Sequence, residues 1–219
     1  MTARSAVPLR DDIDWYVRLV TLVSRVCVSV FTRVRTEGAF DRIPADGPLI
    51  LAANHCSNAD AAILQGWLVP RVGRRIHWLG KKEILQWPIL GRLARGVSIH
   101  PIDRGARDVE AFRTALRILE EGHVLLIFPE GTRSPTGEMR DGKEGLATLA
   151  LRGEAMIVPL GIVDSHRLWP KGGPPRWGAR VRLVVGAPFR PADVLPPDLD
   201  RRSAKAAATD EVMRRIAAL

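Results

Sequence analysis

Cysteine is scarce: the 219-residue chain has two, Cys27 and Cys56. Two cysteines make neither a disulfide framework nor a cysteine-rich zinc site, so a reducing compartment is expected. The five histidines, at 55, 77, 100, 123 and 166, show no ligand spacing, and no metal is expected. Stacking aromatics are few, with one Tyr and five Phe, and no helix-turn-helix, zinc or RNA-recognition signature accompanies them. That excludes nucleic acid as the expected partner. A long uncharged apolar run is also missing. A spanning helix needs about 20 mostly apolar residues, and the best stretch, 13–34, is broken by Arg18 and Arg25. A secretory signal does not fit either, because Asp11, Asp12 and Asp14 precede the apolar part. Internal repeats and low-complexity segments are absent.

What remains is a chain able to bury a core, with 46% hydrophobic residues, and carrying a net charge of +9. The charge favours an anionic partner: a phosphate-bearing substrate, an acidic lipid surface or nucleic acid. Part of it is concentrated. Between Arg71 and Arg107 the basic residues are 71, 74, 75, 81, 82, 92, 95, 104 and 107, against acidic residues 83 and 103. Interleaved with Trp78, Trp87, Ile89 and Leu90, they read as a surface for anionic lipid; the alternative is a solvated helix face.

Residues 1–12 read as a loose polar tail. In 13–34, polar positions 14, 18, 21, 25, 29 and 32 form one narrow stripe on an otherwise apolar helix. An interfacial helix fits, with arginines at headgroup level and Trp15, Tyr16 and Phe31 below; the alternative is a helix packed on the domain with the stripe facing water. Residues 1–34 are therefore assigned to a tail and a membrane-interfacial amphipathic helix, and 35–219 to one further domain. Residues 35–48 are a turn-rich connector. After it, strand-like and helix-like segments alternate: strands at 49–53, 76–79, 97–99, 123–128, 156–163 and 181–185, the last edge-like, and helices at 60–69, 82–94, 107–121, 143–152 and 200–218. Such alternation predicts an α/β fold, a single domain with a largely parallel sheet flanked by helices.

The chain is organised around Asn54-His55-Cys56-Ser57-Asn58-Ala59-Asp60, which comes directly after the apolar run Leu49–Ala53. On one unbroken helix, His55 and Asp60 would point about 140° apart. They meet if His55 lies in the turn before a helix and Asp60 in its first turn, with Ser57 or Asn58 as cap. A carboxylate on one imidazole nitrogen fixes the tautomer and leaves the other free as a base. The alternative is a helix cap beside an incidental histidine.

Ligands in open α/β sheets bind at the carboxyl ends of strands, and two more polar clusters stand after strands here. One is Ile102-Asp103-Arg104-Gly105. The other, Pro129-Glu130-Gly131-Thr132-Arg133-Ser134, brings a carboxylate, a glycine, a hydroxyl and a guanidinium to the end of an apolar strand. Gly131 allows close backbone approach, and Arg104 and Arg133 suit bidentate phosphate contacts.

In this order the residues resemble the glycerolipid acyltransferase family that includes the lysophosphatidic acid acyltransferases. Its HxxxxD runs from His55 to Asp60. A glycine-to-arginine block spans Gly96 to Arg104, FPEGTRS is complete at Phe128–Ser134, and the Val/Ile-Pro strand is Ile157-Val158-Pro159-Leu160. The likeness covers about residues 35–217. It departs from the family at His100-Pro101 and at Met139-Arg140-Asp141.

The resemblance implies a glycerolphosphate-acyltransferase-like fold and acyl transfer to a lysophospholipid hydroxyl, most simply 1-acylglycerol 3-phosphate giving phosphatidic acid. The donor would be acyl-CoA or acyl-carrier protein as co-substrate, with no cofactor. His55 and Asp60 would be the catalytic pair. Arg104 would hold the acceptor phosphate, and Glu130, Gly131, Thr132 and Arg133 would complete the substrate site. Expected partners are an anionic membrane surface, the lysophospholipid and the donor. The expected location is the cytoplasmic face of the cell membrane, peripheral or monotopic. Two alternatives stay open: another lyso-lipid or glycolipid acceptor, and a lipid-binding protein that has lost catalysis. A Cys56–His55 nucleophile pair is disfavoured because adjacent side chains diverge.

Overall fold

The computed structural model describes residues 7–86, 88–102 and 109–219, and the backbone alone for residues 84, 85 and 88–90. In chain order the helices are α1 (Trp15–Phe31), α2 (Asp60–Trp67), α3 (Val69–Val72), α4 (Lys82–Gln86), α5 (Pro88–Gly96), α6 (Val109–Glu120), α7 (Gly145–Arg152), α8 (Ser165–Leu168), α9 (Pro191–Val194) and α10 (Arg201–Ala217). The strands are β1 (Thr32–Gly38), β2 (Leu49–Ala53), β3 (Ile76–Lys81), β4 (Ile99–Ile102), β5 (Val124–Ile127), β6 (Met156–Val163) and β7 (Ala179–Val185). They form one sheet in the order β1-β7-β6-β2-β5-β3-β4. Among the described residues, the β6–β7 strand pair alone is antiparallel. The largely parallel α/β sheet expected from the alternation is present.

Both faces of the sheet are covered, which explains why β2 is apolar at every position. Leu49, Leu51 and Ala53 pack with Val17 and Val28 of α1, Ile63, Leu64 and Trp67 of α2, and Val69 and Val72 of α3. Ile50 and Ala52 point the other way, into Ile118 of α6, Leu146 and Leu149 of α7, and Val212 and Ile216 of α10.

Four elements differ from the sequence reading. Residues 32–34 are strand, not helix, and the connector begins later, because Thr32, Val34 and Thr36 alternate with Arg33, Arg35 and Glu37 along β1. β1 takes the sheet edge, so β7 is an interior strand. The strand at 97–99 is shifted to β4, since Ser98 turns the chain with φ +60°. The helix before β3 breaks after Trp67 and resumes as α3.

Residues 7–14 are not a loose tail. Arg74 and Arg75 are buried just ahead of β3 and need partners. Asp11 pairs with Arg74 at 3.1 Å and Asp14 with Arg75 at 2.5 Å. Asp14 also caps α1 by accepting from the Val17 amide at 2.9 Å. Behind this strap His77 donates Nε2–H to the Arg10 carbonyl at 3.0 Å, so its Nδ1 accepts from His100 at 2.9 Å. Two of the nine basic residues read as lipid-facing are therefore buried ion-pair members, and Trp78 is buried too. Trp87, Arg104 and Arg107 lie outside the described residues, as do the side chains of Ile89 and Leu90.

Helix α1 is apolar on two faces, one packed on the core and one turned outward. Val17, Thr21 and Val28 are buried, and Thr21 accepts from Gln65 of α2 at 2.9 Å. The backbones approach closely at Gly66, where a Cβ would lie 3.2 Å from the Arg25 nitrogen. Outward stand Trp15, Leu19, Leu22, Val23, Val26 and Val30, all exposed and on one helical face. Tyr16 packs inward against the core. Among the described residues no helix is long and apolar enough to cross a membrane.

Candidate active site

Three adjacent strands, β6, β2 and β5, end side by side, and the site is assembled from the loops that leave them. Asn54 continues the β2–β6 ladder with its side chain, accepting from the Ile162 amide at 2.6 Å and donating to its carbonyl at 3.2 Å. The chain then turns through His55 to Ala59 and enters α2 at Asp60. The α2 N-cap is Ala59, not Ser57 or Asn58. Ser57 instead accepts from the Ala59 amide at 3.0 Å and donates to the Trp169 carbonyl at 2.9 Å.

His55 and Asp60 meet as the spacing required: Nδ1 lies 2.8 Å from Asp60 Oδ2. That oxygen also accepts from the Cys56 and Ser57 amides, at 2.9 and 2.8 Å. Asp60 is fully buried, and its Oδ1 accepts from Ser165 at 2.5 Å. The His55 ring stacks on Phe128, with centroids 4.0 Å apart. Its side chain keeps 12% exposure, and Nε2 has no partner among the described residues. The imidazole has one nitrogen anchored and the other open.

Glu130, expected from the sequence to complete the substrate site, is held by two backbone amides. It is buried; Oε1 accepts from the His55 amide at 2.7 Å and Oε2 from the Arg140 amide at 3.0 Å. Burial raises its pKa, against the two amides that lower it. Glu130 ties two loops together. Every amide from His55 to Ala59 is committed: the first to Glu130, the next two to Asp60, Asn58 to the Trp169 carbonyl and Ala59 to Ser57. None of these five amides is open to a developing oxyanion.

Gly131, at φ +69°, has the Lys143 side chain 3.1 Å from where a Cβ would stand. Both line a cavity of about 340 Å³ with Phe112, Ala115, Leu146 and Leu149. Thr132 and Arg133 are half-buried on the same loop. Arg104 lies outside the described residues. Cys56 is buried, its Sγ 3.2 Å from Ser165 Oγ, and burial first, then Asp60, push its thiol up to about 11. Sequence reasoning missed Ser165, which lies 105 positions from its partner, and the stacking role of Phe128. The second was within reach, since Phe128 opens the FPEGTRS block.

The family model described as Acyltransferase matches residues 33–163, from β1 through the end of β6. The chain belongs to the acyltransferase family. A 1-acyl-sn-glycerol-3-phosphate acyltransferase from Bacillus subtilis (strain 168) is 30% identical over 179 residues, 80% of this chain and 83% of that protein. One from Limnanthes alba is 36% identical over 128 residues, but the match spans 56% of this chain and 43% of the plant protein. A lyso-ornithine lipid O-acyltransferase from Pseudomonas aeruginosa is 32% identical over 157 residues, covering 71% of this chain and 55% of that one. The crystal structure of the 1-acyl-sn-glycerophosphate acyltransferase from Thermotoga maritima shares the fold, with a TM-score of 0.74 and 23% identity. It covers 92% of this chain and 78% of its own. The matched span of this acyltransferase holds both the His55–Asp60 turn and the Glu130 loop.

Proposed function

We propose that this acyltransferase moves a fatty acyl group from a thioester, acyl-CoA or acyl-carrier protein, to the free hydroxyl of 1-acylglycerol 3-phosphate, giving phosphatidic acid. The observation that carries this reading is the anchored His55 with its open Nε2. That nitrogen takes the acceptor's hydroxyl proton as the oxygen attacks the thioester carbonyl. Asp60 stabilises the imidazolium. When the tetrahedral intermediate collapses, the C–S bond breaks and His55 returns the proton to the departing thiolate. General base catalysis of this kind is worth about 10²–10⁴-fold.

The apolar cavity beside Phe128 and Gly131 receives the acyl chain; its volume of about 340 Å³ lies at the small end of ligand pockets. Arg104 and Arg133 hold the acceptor phosphate, with Thr132, while Glu130 keeps the His55 turn in place. The outward apolar face of α1 rests on an anionic membrane, at the cytoplasmic face as a peripheral or monotopic enzyme. The kinship to a lyso-ornithine lipid enzyme supports a second reading, a lyso-aminolipid acceptor in the same site.

The test is a mass-spectrometric transfer assay with labelled acyl-CoA or acyl-carrier protein, a panel of lyso-lipids, and His55→Ala beside the unaltered protein. Labelled phosphatidic acid, absent with the variant, is expected. A different labelled lipid moves the acceptor and keeps the chemistry. No product from folded, vesicle-bound protein overturns the catalytic reading.

A further inference from the structure

The β1 edge of the sheet carries two arginine pairs on the face turned away from α1. β1 and β7 are parallel and in register, with Arg33 beside Arg180 and Arg35 beside Arg182. All four are exposed. Val34, Val181 and Leu183 turn to the α1 core, so alternation sends the arginines to the opposite face, the one that α10 covers. Arg182 marks that side directly: it donates to the carbonyl of Leu219, just past α10, at 3.3 Å. Glu37 is 3.8 Å from the same guanidinium. Among the described residues, Arg33, Arg35 and Arg180 have no carboxylate within ion-pair reach. Like charges side by side on neighbouring strands are destabilising, so fold stability does not account for the cluster.

The cluster stands at the catalytic end of the sheet. Arg182 pairs with Val163, the last residue of β6, and the Ile162 amide beside it donates to Asn54, next to His55. β7 and β1 lie two and three strands from β2, roughly 10 and 14 Å at the usual strand spacing. A cavity of about 330 Å³ lies between the cluster and the turn. It is lined by Asn54 and Cys56, the sequence neighbours of His55, and by Val163 and Leu219, the two residues that Arg182 meets. The acyl cavity beside Phe128 is on the same face: its α6 and α7 walls, Phe112, Ala115, Leu146 and Leu149, pack in one core with Ile216 of α10.

We propose that the β1–β7 arginines dock an acidic acyl-carrier protein, and that the cavity beside Asn54 admits the arm on which that protein holds the thioester. This rests on the proposed transfer and on the membrane-seated α1, and adds which donor is used and from which side it comes. A bilayer that meets the outward face of α1 is on the far side of the sheet from the arginines, so they stay in solution. A soluble partner is then the one that reaches them. A coenzyme-sized donor is held in a concave site that buries most of it, whereas these guanidiniums stand on an exposed strand edge. Such a surface suits carboxylates spread over a protein, in the broad contact that protein partners make. The lipid acceptor and the carrier then approach from opposite sides and do not compete for one surface.

The experiment is initial-rate kinetics of the full chain with an acyl-carrier protein and with acyl-CoA bearing the same acyl chain, with 1-acylglycerol 3-phosphate as acceptor. Arg33→Gln with Arg180→Gln is compared with Arg201→Gln with Arg202→Gln, the same loss of charge at the other end of α10, a helix about 25 Å long. Both are first shown by thermal melting to be folded. The first pair is expected to raise KM for the carrier protein about tenfold at low salt, with kcat and both constants for acyl-CoA unchanged. The gap should close at about 1 M salt, where the Debye length is about 3 Å. The α10 pair is expected to change neither donor, and Arg33→Lys with Arg180→Lys should keep the carrier's KM. Binding of the labelled carrier without an acyl chain, followed by fluorescence anisotropy, is expected to weaken in parallel.

Equal KM increases for both donors would assign the arginines to the phosphate-bearing arm common to the two, and overturn protein docking. Unchanged kinetics and anisotropy, or transfer from acyl-CoA alone, refute docking and leave the proposed transfer standing. Lost flotation with anionic vesicles at unchanged donor kinetics turns the edge to the bilayer and also refutes it. Transfer from neither donor by the unaltered protein sinks the proposed transfer, and the anisotropy then decides docking on its own: salt-sensitive binding lost in the first variant keeps it, and no binding removes it.

Discussion

Ser165 gives its hydroxyl hydrogen to Asp60 Oδ1, the one carboxylate oxygen that the catalytic turn leaves unused. The other oxygen already serves His55 and two backbone amides. Ser165 thus sets the rotation of the carboxylate about its own bond, and with it the aim of the imidazole. It is fully buried, so on the proposed reading it acts through Asp60 as a positioning residue.

Ser165→Ala should therefore lower kcat about tenfold with KM little changed, in line with about 1.5–3 kcal/mol for a hydrogen bond to a charged group. Ser165→Thr should recover part of the loss. Steady-state kinetics on both variants checks this; a kcat like that of the unaltered protein would mean that the turn alone aims His55.

Cys56→Ser should remain active, within about threefold, because the proposed direct attack needs no thiolate. A nucleophilic cysteine is held at a lowered pKa, whereas burial pushes this one up to about 11. A folded but dead Cys56→Ser protein would remove direct attack by the acceptor hydroxyl.

Glu130→Gln leaves one buried backbone amide, at His55 or Arg140, facing an amide group instead of a carboxylate oxygen. The expected loss is about 1–3 kcal/mol, read as a thermal midpoint lower by about 5 °C. Activity should fall with it, since the turn that carries His55 loosens. Unchanged melting would show that the two loops hold together without this carboxylate.

His77 and His100 should make stability depend on pH. Burial, the largest cause, lowers both to about 4 from 6.5, with His100 adding to the shift of His77 and Arg117 to that of His100. The folded protein keeps them neutral while the unfolded chain takes up protons below pH 6.5. Stability is then complete above that pH, falls as pH drops towards 4, and loses no more below it. The loss is at most about 3 kcal/mol for each histidine. Thermal melts from pH 7.5 to 5 should show the decline, and His100→Gln should make it shallower; identical slopes would show that neither histidine controls it.

The sequence discloses what is local and hides what is distant. His55 and Asp60 are five positions apart, and FPEGTRS comes directly after its strand, so both are readable. β2 and β6 are buried on both faces and therefore apolar throughout. β1 is hidden because Thr32 and Val34 fit the tail of the α1 pattern as well as they fit strand alternation. Arg74 and Arg75 look like surface charge until Asp11 and Asp14, some 60 residues earlier, are brought against them. Ser165 carries no signal of its own, because a serine after a strand is ordinary and its meaning comes from a carboxylate on the neighbouring strand's turn. Glu130 stands out in the sequence without disclosing its role, because a carboxylate in a motif does not reveal whether it faces ligand or backbone.

Helix α1 is pinned at both ends, by Asp14 to Arg75 and by the Gly178 amide to the Phe31 carbonyl at 3.1 Å. It has no hinge. On the proposed reading, the base then stands at a fixed height above the leaflet, and the lipid supplies the motion. A single-chain acceptor climbs that distance more easily than a two-chain product, by about 0.8 kcal/mol for each methylene withdrawn from hydrocarbon. Acylation itself thus strengthens the pull that returns the product to the membrane, and turnover is driven by the weight of the chain just added.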